Sequence, residues 1–295
     1  MQIASRLFDF SHSVYVMGIL NVTPDSFSDG GRYLHPQQAL DQALKMQEEG
    51  ADIIDVGAES TRPGAVAISA EDEIKRLEPL FNLLVPRLKI PVSIDTQKAG
   101  VAEFAIQKGA ALINDVSGFE FDPEMISVLQ RHPVPAILMH SREAPPSPQP
   151  SPIEGEGVME NFLSFFEIKL VELEKKGISS TRLILDPGIG FAKQGKENVE
   201  ILSQLHYMKK FSCPLMVGLS RKSFLEEYFG PTSHPSERGL GTEVAHALAI
   251  SQGANLLRVH DVAAAKKTIR FVKEFKSPLA PLLQSGERTN NTPLL

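Results

Sequence analysis

Short β-branched apolar runs alternate eight times with longer segments of helical period, and this alternation restricts the fold more than any other feature of the chain. The runs cover residues 14–20, 52–57, 91–95, 111–116, 135–140, 183–187, 214–219 and 256–260. Between them, apolar residues recur with helical spacing, as at Ala39, Leu40, Ala43, Leu44 and Met46 ahead of Gly50. Regular strand–helix alternation implies a parallel sheet. Eight such units within 295 residues favour a closed barrel over an open doubly wound sheet. The expected architecture is a single α/β domain, a (β/α)8 TIM barrel over residues 14–276, with its active site at the C-terminal ends of the strands. Residues 1–13 are expected to form an extended cap beneath the barrel, and residues 277–295 a flexible tail. The Pro-, Ser- and Gly-rich stretch 144–157 reads as a long loop after the fifth strand.

An internal echo supports the barrel. Gly50-Ala51-Asp52-Ile53-Ile54-Asp55-Val56 is repeated in outline by Gly109-Ala110-Ala111-Leu112-Ile113-Asn114-Asp115-Val116 and by Gly253-Ala254-Asn255-Leu256-Leu257-Arg258-Val259. In each copy glycine stands where a helix must end in a left-handed residue, and an apolar strand follows at once. A polar side chain comes next, at Asp55, Asn114 or Arg258. A polar residue near the exit of a barrel strand adds little to packing, but that exit is where barrels carry their chemistry.

Global charge excludes some partners. The net charge of -6 gives no basic field to attract nucleic acid or an anionic membrane. No apolar run approaches the ~20 residues of a membrane helix, and no basic segment followed by a long apolar stretch opens the chain. A cytoplasmic protein is expected, with small-molecule substrates and neither nucleic acid nor membrane as partner. The single cysteine, Cys213, rules out an internal disulfide framework and reads as a structural residue.

Basic residues must therefore act locally. Arg62, Arg221, Lys222, Arg258 and His260 follow the second, seventh and eighth strands, which lie side by side with the first in a closed barrel. Arginine forks suit multi-oxygen anions such as phosphate. The stretch Ser220-Arg221-Lys222-Ser223 opens a helix, whose first N–H groups favour a carboxylate or phosphate. Asp55, Asp95, Asn114 and Asp186 are expected deeper and toward the opposite side, where they suit a flat heterocycle with several donors. Asn21, Asp25 and Asp29 supply hard oxygens next to the cationic set, a pattern that fits Mg²⁺ shared with phosphate oxygens. Zinc-ligand spacing, a P-loop and a nucleophile elbow are all missing from the sequence.

The same residues resemble the signatures of the dihydropteroate synthase family. The resemblance is carried by Asn21-Val22-Thr23-Pro24-Asp25-Ser26-Phe27-Ser28-Asp29-Gly30-Gly31 and by Glu59-Ser60-Thr61-Arg62-Pro63-Gly64. Asp95-Thr96, Asn114-Asp115-Val116-Ser117-Gly118, Asp186-Pro187-Gly188-Ile189-Gly190-Phe191, Ser220-Arg221-Lys222-Ser223 and Arg258-Val259-His260-Asp261-Val262 follow in the family's order. The resemblance implies condensation of 6-hydroxymethyl-7,8-dihydropterin pyrophosphate with 4-aminobenzoate. It implies that Asp95, Asn114, Asp186 and Lys222 hold the pterin. Asn21, Thr61, Arg62, Arg258 and His260 would hold pyrophosphate, and Phe27, Pro63, Phe191 and Ser223 would enclose 4-aminobenzoate. Asp95, Lys222, Arg258 and His260 would carry the catalysis, with Mg²⁺ on Asn21 and Asp29 reaching it through water. A homodimer is also implied.

Two segments depart from the family pattern. After Met139-His140 the chain continues Ser141-Arg142-Glu143-Ala144-Pro145-Pro146, and Glu243-Val244-Ala245-His246 stands where small residues are usual. Glu243 and His246 are read as structural or oligomer-facing. A methyltetrahydrofolate–corrinoid methyltransferase would share the barrel and the Asp/Asn pocket. It would have no need for residues 21–31, Thr61-Arg62 or Ser220-Arg221-Lys222. A pterin-binding barrel without catalysis is the reading from a different class.

Overall fold

Eight parallel strands, each followed by helical chain, build the body of the protein in the computed structural model, which describes residues 1–22, 36–59, 67–141, 158–191, 193, 195–232 and 234–276. An antiparallel hairpin, β1 (Gln2–Ile3) and β2 (Arg6–Leu7), precedes them. The barrel strands are β3 (Tyr15–Asn21), β4 (Ile53–Gly57), β5 (Val92–Asp95), β6 (Leu112–Asp115), β7 (Ala136–Met139), β8 (Leu183–Asp186), β9 (Met216–Val217) and β10 (Leu256–Val259). Seven fall within the runs read from the sequence, and β3 extends one residue past its run, to Asn21. The row runs β8-β7-β6-β5-β4-β3-β10-β9. A parallel bridge between Leu185 and Leu215 joins its two ends and closes the barrel.

The helices follow as α1 (Pro36–Glu48), α2 (Ala70–Leu84), α3 (Ala99–Gln107), α4 (Glu124–Arg131), α5 (Val158–Lys175), α6 (Gly195–Ser203), α7 (Glu226–Phe229), α8 (Gly239–Gln252) and α9 (Val262–Lys276). Local chemistry sets several of their ends. Ser69 caps α2 by accepting from Asp72 N, and Glu71, Asp72 and Glu73 complement the dipole of its first turn. The three glycines of the internal echo, Gly50, Gly109 and Gly253, all have left-handed backbones, with φ of 100°, 107° and 115°. Each of them ends a helix where a Cβ would be strained.

Strand periodicity divides the core in two. Val16, Leu20, Ile54, Val56, Ile94, Ile113, Leu138, Leu185, Leu257 and Val259 face outward and pack with the helices in one large cluster. Met17, Ile53, Leu112, Ile137, Ile184, Met216 and Leu256 face inward at the start of their strands. Ile3, Phe8 and Phe10 from the N-terminal segment join this second cluster and plug the floor of the barrel. Phe8, Phe10 and Tyr15 stack against one another there. Residues 277–295 and the whole stretch expected as a loop, residues 144–157, lie outside the described residues.

Candidate active site

Two residues beyond the apolar floor, the inward positions become polar. Asp55, Asp95, Asn114, Asp186 and Arg258 are the strand residues that follow Ile53, Ser93, Leu112, Ile184 and Leu256 on the same face. The register sets Asp95 directly beside Asn114 and beside Gly57, and Asn21 beside Gly57 on the other flank. A Cβ on Gly57 would lie 3.4 Å from Asp95 Cβ.

These side chains form one linked group. Asn114 Nδ2 donates to Asp55 Oδ2 at 3.0 Å, and Arg258 Nε donates to the same oxygen at 2.7 Å. Arg258 Nη2 donates to Asp95 Oδ2 at 2.5 Å. Asp55 is fully buried, and its Oδ1 has no hydrogen-bond partner among the described residues. A buried, unpaired carboxylate oxygen is costly unless a ligand donor meets it. Burial pushes the Asp95 carboxyl up to about 7, against the pull of the Arg258 guanidinium and with added repulsion from Asp55, Glu73 and Asp115. Burial also raises Asp186, although Gly188 N donates to its Oδ1 at 2.8 Å. For Arg258 burial opposes the charge, but Asp55 and Asp95 outweigh it and hold the guanidinium above its usual pKa.

The sequence separated a cationic side of the mouth from an acidic side, and here the structure differs. Arg258 reaches from β10 across β3 to carboxylates on β4 and β5. An arginine stem spans that distance easily, and two buried carboxylates draw the guanidinium off the rim. The role of Asp55 is the residue-level reading that the family signatures left out. The signal was present, because the internal echo aligns Asp55 with Asn114 and Arg258.

The remaining rim residues come from three loops. Lys222 Nζ lies 3.9 Å from the centroid of the Phe191 ring, a cation–π contact that brings these two positions together. His260 Nδ1 is 3.0 Å from Ser220 Oγ, which also accepts from His260 N. The helix expected after Ser220 exists but is brief: a 3-10 turn over Ser223–Leu225 leads into α7, with Lys222 as the extended residue before it. Ser223 is exposed at its start, and Asn21 ends β3 half-buried at the rim. Phe27, Asp29, Thr61, Arg62 and Pro63 lie outside the described residues.

The loop after β8 shows why its glycines matter. Gly188 has φ of 61°, and a Cβ there would stand 2.1 Å from the His140 carbonyl oxygen, so no side chain fits. Lys193 clamps this loop by donating to the carbonyls of Gly188 and His140 at 2.8 and 3.1 Å. Asn198 accepts from Gly190 N at 2.7 Å. Neither residue carries a motif that sequence reading could have found.

Other residues remain structural. Cys213 donates weakly to the Ser180 carbonyl, and burial pushes its thiol up to about 11. His246 is fully buried on α8, with Nδ1 3.5 Å from Glu243, and Thr268 on α9 donates to Glu243 at 2.5 Å.

Residues 17–260 match the model of the pterin binding enzyme family, so this mouth is that of a pterin-binding barrel enzyme. A dihydropteroate synthase of Synechocystis sp. is 44% identical over 264 residues, which span 90% of this chain and 91% of that protein. The structure of Xanthomonas albilineans dihydropteroate synthase with 4-aminobenzoic acid superposes with a TM-score of 0.84 at 38% identity, covering 94% of this chain and 97% of the other. The same enzyme in complex with 7,8-dihydropteroate gives a TM-score of 0.81 at 35% identity, over 94% and 98%. The chain belongs to the dihydropteroate synthase family, transferases that form dihydropteroate in folate biosynthesis.

Proposed function

We infer that the protein joins 6-hydroxymethyl-7,8-dihydropterin pyrophosphate to 4-aminobenzoate and that the described rim residues divide the work. The observation that carries this reading is the linked Asp55–Asp95–Asn114–Arg258 group at the mouth of the barrel. The edge of a pterin ring is rich in N–H donors. Asn114 and Asp186 offer buried oxygens and Asp95 a half-buried carboxyl to meet them, and Lys222 with Phe191 closes over the flat ring. As the ring's donors replace those of Arg258 on the carboxylates, the guanidinium turns to the pyrophosphate. There it acts beside His260 and, from outside the described residues, Thr61 and Arg62.

The bond from the pterin methylene to the pyrophosphate oxygen breaks with its electron pair passing to oxygen. The amine nitrogen of 4-aminobenzoate forms the new C–N bond and gives up one proton. Arg258 and His260 stabilise charge on the leaving group, and the Asp95 carboxylate stabilises the positive charge that grows on the pterin. The carboxylate of 4-aminobenzoate rests at Ser223, at the first residue of the turn. Phe191, Phe27 and Pro63 supply its apolar walls.

Mg²⁺ suits this mouth as a partner of the substrate. Among the described residues no group of three His, Cys, Asp or Glu side chains is arranged to hold a metal, whereas Asn21 offers a hard oxygen at the rim. That donor set fits an ion held mainly by phosphate oxygens and water. Asn21, with Asp29 through water, would hold it, and it would neutralise charge on departing pyrophosphate.

A second copy of the chain is the expected macromolecular partner. Leu240, Val244 and Leu248 form an exposed i, i+4, i+8 stripe on α8, and Phe271 and Phe275 form an exposed i, i+4 pair on the neighbouring α9. Among the described residues no helix is long and apolar enough to cross a membrane.

The test is to incubate purified protein with the pterin pyrophosphate and Mg²⁺, with and without 4-aminobenzoate. Dihydropteroate and pyrophosphate formed together, only with both substrates and lost on chelation, are the expected result. Tight pterin binding without product overturns the reading.

A further inference from the structure

We propose that Arg238 and Thr242 are positioning residues for this reaction, holding Arg221 in a left-handed conformation that aims Ser220 and Lys222 into the mouth. Arg221 has φ of 61°. Side chains with a Cβ avoid this region, and turns that need it at their third residue usually place glycine or asparagine there. Leu219 to Lys222 is such a turn, with Lys222 N directed at the Leu219 carbonyl at 3.4 Å. That long contact is weak support for a strained residue.

Two side chains from beyond the turn supply the rest. Thr242 is buried on α8, and its Oγ1 accepts from Arg221 N at 3.1 Å. Arg238 Nη1 donates to the Arg221 carbonyl at 2.8 Å. The peptide planes on both sides of Arg221 are thereby held. Arg238 is itself anchored, with Nε and Nη2 donating to Glu226 Oε1 at 3.0 and 2.8 Å and Nε donating to Thr232 Oγ1 at 3.2 Å. The neighbours of the held residue are the two that face the chemistry. Ser220 meets His260 on the pyrophosphate side, and Lys222 lies over Phe191 on the pterin side. Relaxation of Arg221 to a right-handed conformation would redirect both at once.

This inference rests on the assignment of Lys222 to the pterin, and its test separates the two. Arg238→Met should lower kcat/KM about 100-fold, whereas in an Arg221→Gly background the same change should cost no more than about threefold, because glycine takes the left-handed conformation without support. Circular dichroism and Tm establish that each variant is folded. Thr242 provides an independent arm. Thr242→Ser keeps the acceptor and should stay within about twofold of the parent, and Thr242→Val should lose about tenfold, the price of one such contact. An equal loss from Arg238→Met in both backgrounds, or no loss in either, overturns the proposal. So does equal activity of the two Thr242 variants. If Lys222→Ala keeps full activity, the pterin assignment has failed. If Lys222→Ala is inactive and Arg238→Met is not, the positioning role alone has failed.

Discussion

The floor and the mouth of the barrel are built from the same inward face of the same strands, two residues apart, and they do opposite things. At the floor, Ile53, Leu112, Ile184, Met216 and Leu256 close on Ile3, Phe8 and Phe10 in an apolar plug. At the mouth, Asp55, Asn114, Asp186, Gly218 and Arg258 occupy the next inward positions. One step along a strand turns stabilising burial into burial that costs free energy. The floor gains from excluding water whatever the ligand. At Asp95 and Asp186 burial makes the carboxyl hard to ionise, and an arginine from β10 joins Asp95 to Asp55. A barrel can tolerate such a mouth because the floor and the outer helical layer stabilise the strands that carry it.

Removing that arginine breaks the contrast most severely. Arg258→Ala should cut turnover by roughly 1,000-fold, equivalent to about 4 kcal/mol of lost transition-state stabilisation. It also leaves Asp55 and Asp95 without their counter-charge. At pH 8 the folded state should lose roughly 3 kcal/mol, the usual cost of breaking a buried pair by removing one partner. Part of that loss should be recovered at low pH, where the Asp95 carboxyl takes up a proton. Steady-state kinetics and thermal melts at pH 5 and pH 8 check both parts. Near-normal turnover would mean that Arg258 does not anchor the leaving group.

The floor should respond in the reverse sense. Ile184 is fully buried in the plug, and Asp186 follows it on the same face. Ile184→Ala removes buried methyl groups and leaves a cavity, for a cost of about 3 kcal/mol in stability. Because the mouth is carried by the strand backbone, kcat/KM measured well below the melting transition should change by less than about threefold, under 1 kcal/mol. Denaturant unfolding and kinetics on one preparation decide it. A large kinetic loss would show that the floor tunes the mouth, and that the two layers are not separable.

How much of this was legible in the sequence follows from the physics of each layer. The strands were readable because each is a short β-branched run bounded by turn chemistry, and Gly50, Gly109 and Gly253 marked three helix ends by their conformational need. Asp95, Asn114, Asp186, Lys222, Arg258 and His260 were readable because polar residues at strand exits have little packing reason to be there. The direction of the Arg258 side chain was not readable. A long flexible cation takes its direction from the carboxylates around it, and strand order alone does not rank those. Lys193, Asn198, Arg238 and Thr242 were invisible for a related reason. They act on backbone atoms of other segments that only the folded chain brings to them, and no local spacing encodes a partner for a particular backbone group.

The last effect is the most specific to the mouth. The Asp95 carboxyl is raised from its usual 3.8 to about 7, so the native state keeps this proton over a range where the unfolded chain has released it. Below the unfolded value both states are protonated, and the contribution of Asp95 to stability is fully present. As pH rises toward 7 the unfolded state binds fewer protons than the native state, so stability falls. The slope is at most about 1.4 kcal/mol per pH unit from this one group. Above 7 both states are ionised and the slope from Asp95 vanishes. Asp115, raised by burial to about 6, adds to the same decline. In Asp95→Asn the decline should be shallower between pH 4 and pH 7, with the share from Asp115 remaining. Unfolding free energies across that range, measured on both proteins, test this. Parallel curves would place the Asp95 carboxyl near its ordinary value, and the Arg258 guanidinium would then have offset the whole cost of burial. In that case the mouth would bury its charges at no net cost, and the contrast with the floor would lie only in the stabilisation that apolar burial adds there.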